Sequence, residues 1–259
     1  MKISIITISY NSKKTIEDTI RSVVSQKNDD VEYLIIDGKS TDGTLEIVDR
    51  YRDQIDVLVS EPDNGVSEAF NKGIRYSKGD VIGIINSDDL LYEGAIEKIQ
   101  ETFSANENLD VLFGNIRVFT ENLEEGYTVK ADPDLDKLRY MYLLPHPGIF
   151  IARDAYKKYG IYSTKLKNAM DYELISRMHN ANAKFMYIDT VLAAFREGGI
   201  SQSSLNRTIA EHRAVAKRNG GAFIEIERYL AHVYFRRKTA PLLKKLGIEN
   251  KMHRMVKKS

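Results

Sequence analysis

The stretch Val81-Ile82-Gly83-Ile84-Ile85-Asn86-Ser87-Asp88-Asp89 joins a short apolar run to two adjacent carboxylates. The apolar part has the length and β-branched content of a buried strand, so it delivers both acids to the strand's carboxyl end. Open α/β sheets bind their ligands at that end. Two neighbouring carboxylates repel each other unless a cation lies between them and a second anion, and hard divalent cations prefer carboxylate oxygens. The stretch therefore predicts a metal site with a diphosphate as the second anion, or, alternatively, a cap of the next helix by Ser87 or Asp88.

Composition limits the function classes. The chain has 259 residues, a formal net charge of +1 and no cysteine. Its length supports one large α/β domain or two closely packed halves. The near-neutral charge disfavours nucleic acid as a partner, and the absence of cysteine excludes disulfides and thiol chemistry. No apolar run approaches the roughly 20 residues of a membrane span, and residues 1–8 predict a strand rather than a signal peptide. We therefore expect a cytoplasmic enzyme.

Strand and helix patterns alternate regularly through residues 1–90. Strands are predicted at Ile3–Ile8, Tyr33–Ile36, Val57–Val59 and Val81–Ile85, with an amphipathic helix after each of the first three. Short connections between alternating strands and helices predict a Rossmann-like, mostly parallel sheet with helices on both faces.

The pattern is less regular in the second part of the chain. Residues 111–120 predict one or two strands broken at Gly114-Asn115, and residues 121–140 predict a loop. A helix is predicted from about Asp171, two short strands at 185–188 and 191–195, and helices after Ser201.

Polar residues follow three of the predicted strands. They are the stretches Thr7-Ile8-Ser9-Tyr10-Asn11, Asp37-Gly38-Lys39-Ser40 and Asn86-Ser87-Asp88-Asp89. A crevice with a hydroxyl, an aromatic ring and a carboxylate suits a nucleotide: Tyr10 would stack on the base, Asp37 would accept a base N–H, and Asp88 would hold a metal on the diphosphate. The alternatives are core packing for Tyr10 and turn formation with Gly38 for Asp37.

Two common phosphate-binding motifs are absent from the sequence. No G-x-G-x-x-G follows the first strand, and no G-x-x-x-x-G-K-[ST] occurs anywhere. These absences disfavour a dinucleotide-dependent dehydrogenase and a P-loop enzyme. The phosphates would therefore be neutralised by a metal ion instead of a glycine-rich loop.

Seven stretches of this chain, in the same order, resemble family 2 glycosyltransferases, a large group of inverting enzymes that have the GT-A fold and use nucleotide-activated sugars. Each stretch alone is a weak signal, but the ordered set from residue 3 to about 201 is specific. The stretches are Ile5–Asn11, Asp37–Thr44, Asp63–Gly73, Asn86–Asp89, His146–Phe150, Met170–Leu174 and Phe195–Ser201.

The resemblance implies roles on the donor side. Thr7, Tyr10 and Asp37 would surround uridine or another base, and Ser9 and Ser87 belong to the same polar edge. Further along the chain, the sugar-diphosphate crevice would be lined by Asn64, Gly65 and Asn71.

The resemblance also implies a divalent metal, Mn²⁺ or Mg²⁺. Asp88 matches the metal-binding acid of the family's D-x-D signature, and Asn86 stands where many relatives have the first Asp. Asn86 can still bind ribose or a metal-bound water, but one carboxylate charge is missing. We therefore expect weaker metal binding than with the full motif, with Asp89 compensating.

Asp171 is the candidate general base. Inversion at an anomeric carbon requires a carboxylate opposite the leaving nucleotide to take the acceptor's proton, and the resemblance matches Asp171 to the acid at the start of an acceptor-side helix. The alternative is a helix N-cap. His146 would line the acceptor pocket, and His212 is either packed on its helix or a ligand that completes a metal shell.

The end of the chain is strongly basic. From Arg228 to Ser259 it carries ten Lys or Arg and one acidic residue, Glu249, interleaved with apolar side chains. Basic residues beside an apolar stripe favour an anionic membrane surface, and the alternative is a solvated helical tail. The resemblance adds a polyprenyl-diphosphate-linked acceptor, which would place the enzyme on the inner face of the cell membrane.

These observations predict an α/β protein with the GT-A fold and additional C-terminal helices. We expect a nucleotide-binding half at 1–90, an acceptor-binding half of the same domain at 91–204 and a basic helical extension at 205–259. The predicted function is inverting sugar transfer from a nucleotide-diphosphate sugar, of the UDP-sugar type, to a hydroxyl of a glycan or lipid-linked acceptor in surface polysaccharide assembly. The alternatives are a nucleotidyltransferase and a non-catalytic nucleotide-sugar-binding module.

Overall fold

The computed structural model describes residues 1–142, 144–198 and 205–245. Its described residues form a sheet, helices and three short 3₁₀ turns. The strands are β1 (Ile3–Ser9), β2 (Val31–Asp37), β3 (Val57–Ser60), β4 (Val81–Ile84), β5 (Leu90–Leu91), β6 (Val111–Phe119), β7 (Tyr127–Val129), β8 (Ile149–Ala152) and β9 (Phe185–Arg196). The helices are α1 (Ile16–Val24), α2 (Thr44–Asp49), α3 (Val66–Tyr76), α4 (Ala95–Ala105), α5 (Arg153–Tyr159), α6 (Met170–Asn180), α7 (Leu205–Arg218) and α8 (Phe223–Lys245), and the 3₁₀ turns are Arg52–Gln54, Leu135–Arg139 and His146–Gly148.

One sheet joins the two parts of the chain, in the strand order β3-β2-β1-β4-β8-β6-β9-β5, with β7 added on β6. The strands β3, β2, β1 and β4 are parallel, as predicted. β8 runs antiparallel to both of its neighbours, β4 and β6, whereas β6 and β9 are parallel. The α/β fold is therefore confirmed, with a parallel first part and a mixed second part.

The core lies on both faces of the sheet because each buried strand alternates its side chains. Ile3 and Ile5 of β1 face α1, where Ile16 and Ile20 lie one helical turn apart. Ile6 belongs to the opposite cluster, which α3 and α6 cover. These two apolar layers hold the strand ends in place, and so they position the polar side chains that follow each strand.

The predicted break in the sixth strand is a bulge within a continuous strand. The register between β6 and β9 shifts at Gly114 and again at Asn115, and both strands continue past the shift. A Cβ on Gly114 would lie 2.7 Å from the Thr190 carbonyl, so only glycine fits there. The pattern gave no sign of the very short β5, which pairs with the distant β9. The predicted loop at 121–140 is wrong in part, because it contains β7, which pairs with the preceding strand β6, and the Leu135–Arg139 turn.

The helices after Ser201 are confirmed as far as Lys245. α7 packs against α6 and against the Leu135–Arg139 turn, and α8 packs on α7. The remaining basic residues of the predicted extension, such as Lys257 and Lys258, lie outside the described residues. Among the helices that the structure describes, none is both long and apolar enough to cross a membrane. The division at residues 90 and 204 stays a prediction.

Candidate active site

Asp37 lies at the carboxyl end of β2 with its carboxylate held by several donors. The hydroxyls of Ser9 and Ser60 donate to it at 3.2 and 2.8 Å, and the backbone N–H of Ser40 donates at 2.9 Å. The bond from Ser40 closes the turn after β2, so the alternative role of Asp37 in turn formation is also present. Because three loops converge on this buried carboxylate, its orientation is set before any ligand binds.

The side chains of Tyr10 and Asp63 border Gly38, the residue after Asp37, and the space between these two side chains is called the slot. The Tyr10 ring is 58% exposed, which argues against the core-packing alternative. A Cβ on Gly38 would lie 3.2 Å from this ring and 2.8 Å from the Asp63 carboxylate, so glycine keeps the slot open. Asp63 in turn accepts the backbone N–H of Gly65 at 2.8 Å. The slot is therefore bordered by an aromatic ring and a carboxylate, on either side of a residue without a side chain.

Three residues that the resemblance assigned to the donor have their side chains engaged elsewhere. Thr7 is fully buried, and its hydroxyl shares a hydrogen bond of 3.1 Å with the hydroxyl of Tyr33 in the core. The Ser87 hydroxyl bonds that of Ser12 at 2.7 Å. Both ends of the Asn71 amide bond the backbone of Tyr162, at 2.8 and 2.9 Å. Each contact satisfies a buried polar group, which would lose it on turning toward a ligand.

The acidic turn after β4 contains one buried and one half-buried carboxylate. Asp89 has no exposed surface, and it accepts the Arg196 backbone N–H at 3.1 Å and the Asn86 amide at 3.2 Å. Burial, together with the neighbouring charge of Asp88, holds the pKa of Asp89 well above its ordinary value. Helix α4 begins only at Ala95, with Gly94 at its N-cap. Neither Ser87 nor Asp88 therefore caps the next helix.

Asp88 is the carboxylate of this turn that a ligand can use. It is half-buried, and within the described parts of the chain no other residue donates a hydrogen bond to its carboxylate. Burial raises its pKa, and the Arg196 guanidinium partly offsets that effect. The Oδ1 atom of Asn86 is buried without a hydrogen-bond partner. Two side chains of one turn, Asn86 and Asp88, thus carry oxygen atoms to which no other described residue donates, and oxygen is what Mn²⁺ and Mg²⁺ require.

The turn alone does not complete a metal shell. Over residues 1–142, 144–198 and 205–245, no group of three or more His, Cys, Asp or Glu side chains could hold a metal ion. The residues therefore fit a weak site, in which a divalent cation would take its other ligands from diphosphate oxygens and water. This donor set agrees with the weaker metal binding expected from Asn86.

Arg196, at the end of β9, holds the acidic turn from outside. Its Nε donates to the Asp88 carbonyl at 3.2 Å, and one terminal nitrogen donates to Asp18 at 2.8 Å. The guanidinium also lies 4.6 Å from the ring centre of Phe119. The resemblance includes the stretch around Arg196 but implies no role for this residue. Its partners lie more than 100 positions away in sequence, so no local pattern reveals the contact.

Asn64 and Gly65 lie just before α3, opposite the segment 162–169 that leads into α6. Gly65 has a φ of 118°, which glycine adopts without strain. Lys167 reaches across and donates through Nζ to the Asn64 carbonyl at 2.6 Å. Asn71, further along α3, contributes by binding the same segment at Tyr162. The donor side and the start of α6 are therefore joined by direct hydrogen bonds.

Asp171 lies in the first turn of α6, but it is not the N-cap, since Ala169 occupies that position. One carboxylate oxygen accepts the Tyr172 backbone N–H at 2.8 Å. Burial raises the pKa of Asp171 from 3.8 to about 6. Burial raises the pKa values of Tyr142 and Tyr162, and the negative charge of Asp171 contributes to both shifts in the same direction. A half-buried carboxylate of this basicity is suited to accept a proton near neutral pH.

His146 lies in the short turn before β8, and this turn contacts β4 and β6. The ring stacks on Phe70 at 5.0 Å, and Nε2 shares a hydrogen bond of 3.4 Å with the Tyr162 hydroxyl. Burial lowers the pKa of His146 to about 4, so the ring is neutral at physiological pH.

His212 lies on the acceptor side, on α7. Its ring centre is 5.4 Å from that of Tyr172, the residue after Asp171. Burial lowers its pKa to about 4, and the charge of Arg237 on α8 acts in the same direction. These contacts match the packed alternative for His212.

Sheet, crevice and sequence together define the class of protein, a glycosyltransferase. The chain belongs to glycosyl transferase family 2, whose family model matches residues 4–167. It is 25% identical over 223 residues to a PGL/p-HBAD biosynthesis glycosyltransferase of Mycobacterium tuberculosis, covering 84% of this chain and 86% of that protein. It is 36% identical over 99 residues, or 37% of this chain and 39% of that protein, to the putative teichuronic acid biosynthesis glycosyltransferase TuaG of Bacillus subtilis.

Solved structures agree with this fold. Residues 1–349 of S. aureus TarS in complex with UDP-GlcNAc superpose with a TM-score of 0.68 at 19% identity, over 93% of this chain and 73% of that one. The mannosyltransferase PcManGT of Pyrobaculum calidifontis, with GDP-Man and Mn²⁺, superposes with a TM-score of 0.65 at 18% identity, over 89% of this chain and 68% of that one. The predicted GT-A fold is confirmed.

Proposed function

We propose that this glycosyltransferase moves a sugar, with inversion, from a nucleotide-diphosphate sugar to a hydroxyl of a glycan or lipid-linked acceptor in surface polysaccharide assembly. Its family, and solved neighbours in complex with UDP-GlcNAc or GDP-Man, support the nucleotide-sugar donor. The names of two similar proteins, which refer to teichuronic acid and PGL/p-HBAD biosynthesis, support an acceptor of the cell surface. The observation that carries the proposal is the half-buried Asp171, with its pKa raised to about 6.

The donor's base would enter the slot beside Asp37. Tyr10 would stack on the base, and the Asp37 carboxylate would accept a base N–H, as uracil offers one in the ring plane. The hydroxyl of Ser9 already holds Asp37 in position at 3.2 Å. Asn64 and Gly65 would border the sugar diphosphate, whereas Thr7, Ser87 and Asn71 would support the crevice through the contacts described above.

The reaction would be a single displacement. The acceptor hydroxyl gives its proton to the Asp171 carboxylate while its oxygen bonds to the anomeric carbon, and the bond from that carbon to the diphosphate oxygen breaks with its electron pair. A divalent cation held by Asp88, with help from Asn86, would supply charge for the departing diphosphate. Asp89 would keep Asp88 in place through the Arg196 backbone at 3.1 Å. The neutral His146 and the phenol of Tyr162 would line the acceptor side.

Binding to nucleotide sugars tests the donor half of this proposal. We expect a thermal-shift panel with Mn²⁺ to select one nucleotide sugar, since a ligand at 100 times its Kd adds about 2.7 kcal/mol to stability. Tyr10→Ala should weaken that binding by about 1–3 kcal/mol, the range of base stacking on an aromatic ring. The matched control is Tyr76→Ala, because Tyr76 is also an exposed tyrosine but lies on α3. Stabilisation by nucleoside triphosphates alone would instead indicate a nucleotidyltransferase. If Tyr10→Ala and Tyr76→Ala weakened binding equally, the slot would be excluded as the binding site of the base.

We further propose that α8 lies against an anionic membrane surface, on the inner face of the cell membrane. The helix exposes large apolar side chains, among them Ile224 at 78% and Phe235 at 64%. Arg237 and Lys238 lie beside Phe235, and the Lys238 ammonium lies 5.9 Å from the Tyr234 ring centre. Each basic residue near such a surface contributes about 1 kcal/mol to membrane binding, and apolar side chains strengthen the binding by inserting into the membrane.

Vesicle flotation tests this surface. We expect the protein to float with vesicles of equimolar phosphatidylglycerol and phosphatidylcholine, but not with phosphatidylcholine alone. Replacing Arg237 and Lys238 by Gln should weaken binding by roughly tenfold or more, because two basic contacts are removed. Lys98→Gln on α4, another exposed lysine, is the control. Absence of flotation on anionic vesicles would support the alternative of a solvated helical tail.

A further inference from the structure

Glu211, on α7, binds the backbone just before the helix that carries Asp171. Its carboxylate accepts the N–H groups of Lys167 at 3.0 Å, Asn168 at 2.8 Å and Ala169 at 3.1 Å. Ala169 is the N-cap residue of α6, and no side chain of that segment caps the helix. This carboxylate satisfies the backbone N–H groups of the N-cap residue and of the two residues before it, and its negative charge complements the helix dipole.

The same segment is held from the donor side as well. Lys167 binds the Asn64 carbonyl through Nζ at 2.6 Å, and the Ser67 hydroxyl donates to the Leu166 carbonyl at 3.4 Å. Asp171 follows within the first turn of α6. Contacts from the donor crevice and from α7 therefore hold the start of α6 on two sides. Glu211 provides the contact from α7.

We propose that Glu211 is a positioning residue for sugar transfer: by accepting three backbone N–H groups at the start of α6, it keeps the Asp171 carboxylate turned toward the acceptor. This inference rests on the proposed role of Asp171 as the base. It also gives α7 a part in the reaction, because Glu211 lies on that helix.

The loss of Glu211 has a specific consequence at Asp171. Three N–H donors would lose their carboxylate before the helix, and those of Asn168 and Ala169 are part-buried, so their loss of a partner is unfavourable. The acid within reach in that turn is Asp171, since Asp side chains readily accept N–H groups at helix starts. Turning back to the helix would withdraw Asp171 from the acceptor, and hydrogen bonds to its charged form would lower its pKa.

The other charged and titratable groups around Asp171 are the same in the wild-type protein and in a variant without Glu211. Burial raises the pKa values of Tyr142 and Tyr162, with a smaller contribution from the charge of Asp171, so both phenols stay neutral during its titration. His212 on α7 packs on Tyr172 at 5.4 Å, and the charge of Arg237 on α8 acts on His212. On α6 itself, Glu173 and Arg177 pair with each other at 3.0 Å. A change in the titration of Asp171 would thus report the loss of Glu211.

The test compares Glu211→Ala and Glu211→Gln with Glu227→Gln. Glu227 is the matched control, since it joins α7 to α8 through Arg213 at 2.6 Å without contacting the backbone before α6. We expect Glu211→Ala to reduce kcat by about 100-fold, the typical effect of misplacing a catalytic group by an ångström, with the donor KM near wild type. The acid limb of its kcat–pH profile should move to lower pH. Glu211→Gln, which keeps one acceptor oxygen, should fall between, and Glu227→Gln should behave as wild type.

A carboxyl NMR titration of Asp171 in the full chain separates two kinds of failure. If Glu211→Ala leaves the pKa of Asp171 and kcat unchanged while only lowering the melting temperature, Glu211 is a structural cap and the inference is wrong. An equal loss of kcat in Glu227→Gln would also overturn it. If the wild-type protein transfers no sugar, the proposed function fails, whereas an Asp171 pKa lowered more in Glu211→Ala than in Glu211→Gln, which removes the same charge, would still establish the positioning contact.

Discussion

Replacement of Asp171 by Asn is expected to reduce sugar transfer by about 10²–10⁴-fold, the usual contribution of general base catalysis. The amide keeps the size of the side chain and can still accept the Tyr172 N–H, but it cannot take a proton. Binding of the nucleotide sugar should stay near wild type, because Asp37, Tyr10 and Asp88 are untouched. Single-turnover transfer and donor titration by calorimetry measure the two quantities separately.

The wild-type rate should depend on pH through the same residue. Since burial raises the pKa of Asp171 to about 6, kcat should rise with pH through that value and level off above it. The residual activity of Asp171→Asn should lack this limb. Transfer at the normal rate, or an unchanged acid limb in the variant, would remove Asp171 from the role of base.

Stability provides the control for folding. The folded-state pKa of Asp171 is raised, so its contribution to stability is present below the unfolded value of 3.8 and is lost as pH rises through about 6. Above that pH the ionised, half-buried carboxylate costs up to about 3 kcal/mol. Asp171→Asn should therefore be as stable as wild type or more stable at about pH 8. A variant that is inactive and also less stable at that pH would be uninformative about catalysis, and the pH profile of the wild type would then decide.

Replacement of Asp88 by Asn is the second large effect. We expect the fall in kcat/KM to reach about 100-fold or more, because a cation at the diphosphate contributes several kcal/mol of charge stabilisation. Asp88 is the half-buried carboxylate to which no other described residue donates, so it is the side chain with oxygen atoms available for a metal. Mn²⁺ binding in the presence of the nucleoside diphosphate, followed by calorimetry, measures the loss directly.

Asn86→Asp is the matched counterpart of that change. The substitution restores two acids in the D-x-D pattern, but it replaces the amide that donates to Asp89 at 3.2 Å by a carboxylate. Without metal, the additional negative charge should lower the melting temperature. With Mn²⁺, the variant should bind the ion more tightly and recover stability. Metal affinity that is unchanged in both Asp88→Asn and Asn86→Asp would place the cation elsewhere.

Short-range patterns in the sequence were sufficient for the fold and for one side of the site. The apolar run before Asp88, the alternation of strands and helices through residues 1–90 and the helix near Asp171 all depend on neighbours within a few positions. The polar ends of parallel strands must share one edge of the sheet, so Asp37 and Tyr10 could be predicted to lie there. The exposure of Tyr10 in the structure agrees with this expectation.

Hydrogen bonds between distant parts of the chain determine which polar side chains remain available to bind a ligand. Thr7 and Asn71 have the right residue types, but Tyr33 and the Tyr162 backbone satisfy them. In the pair of acids, the Arg196 backbone holds Asp89, and Asp88 remains accessible. A polar side chain gives no local sign of such a partner.

The sequence by itself indicated the parallel first strands and the acidic turn, because apolar periodicity and strand-end chemistry are local properties, whereas the family resemblance named Asp171 as the candidate base. Only the tertiary structure decided that Asp89 is buried while Asp88 is half-buried, and that Glu211 binds the backbone before α6. The physical reason is that a carboxylate's burial, hydrogen bonds and pKa depend on atoms brought together from distant positions, such as Glu211 and Lys167, whose contact spans 44 residues of sequence.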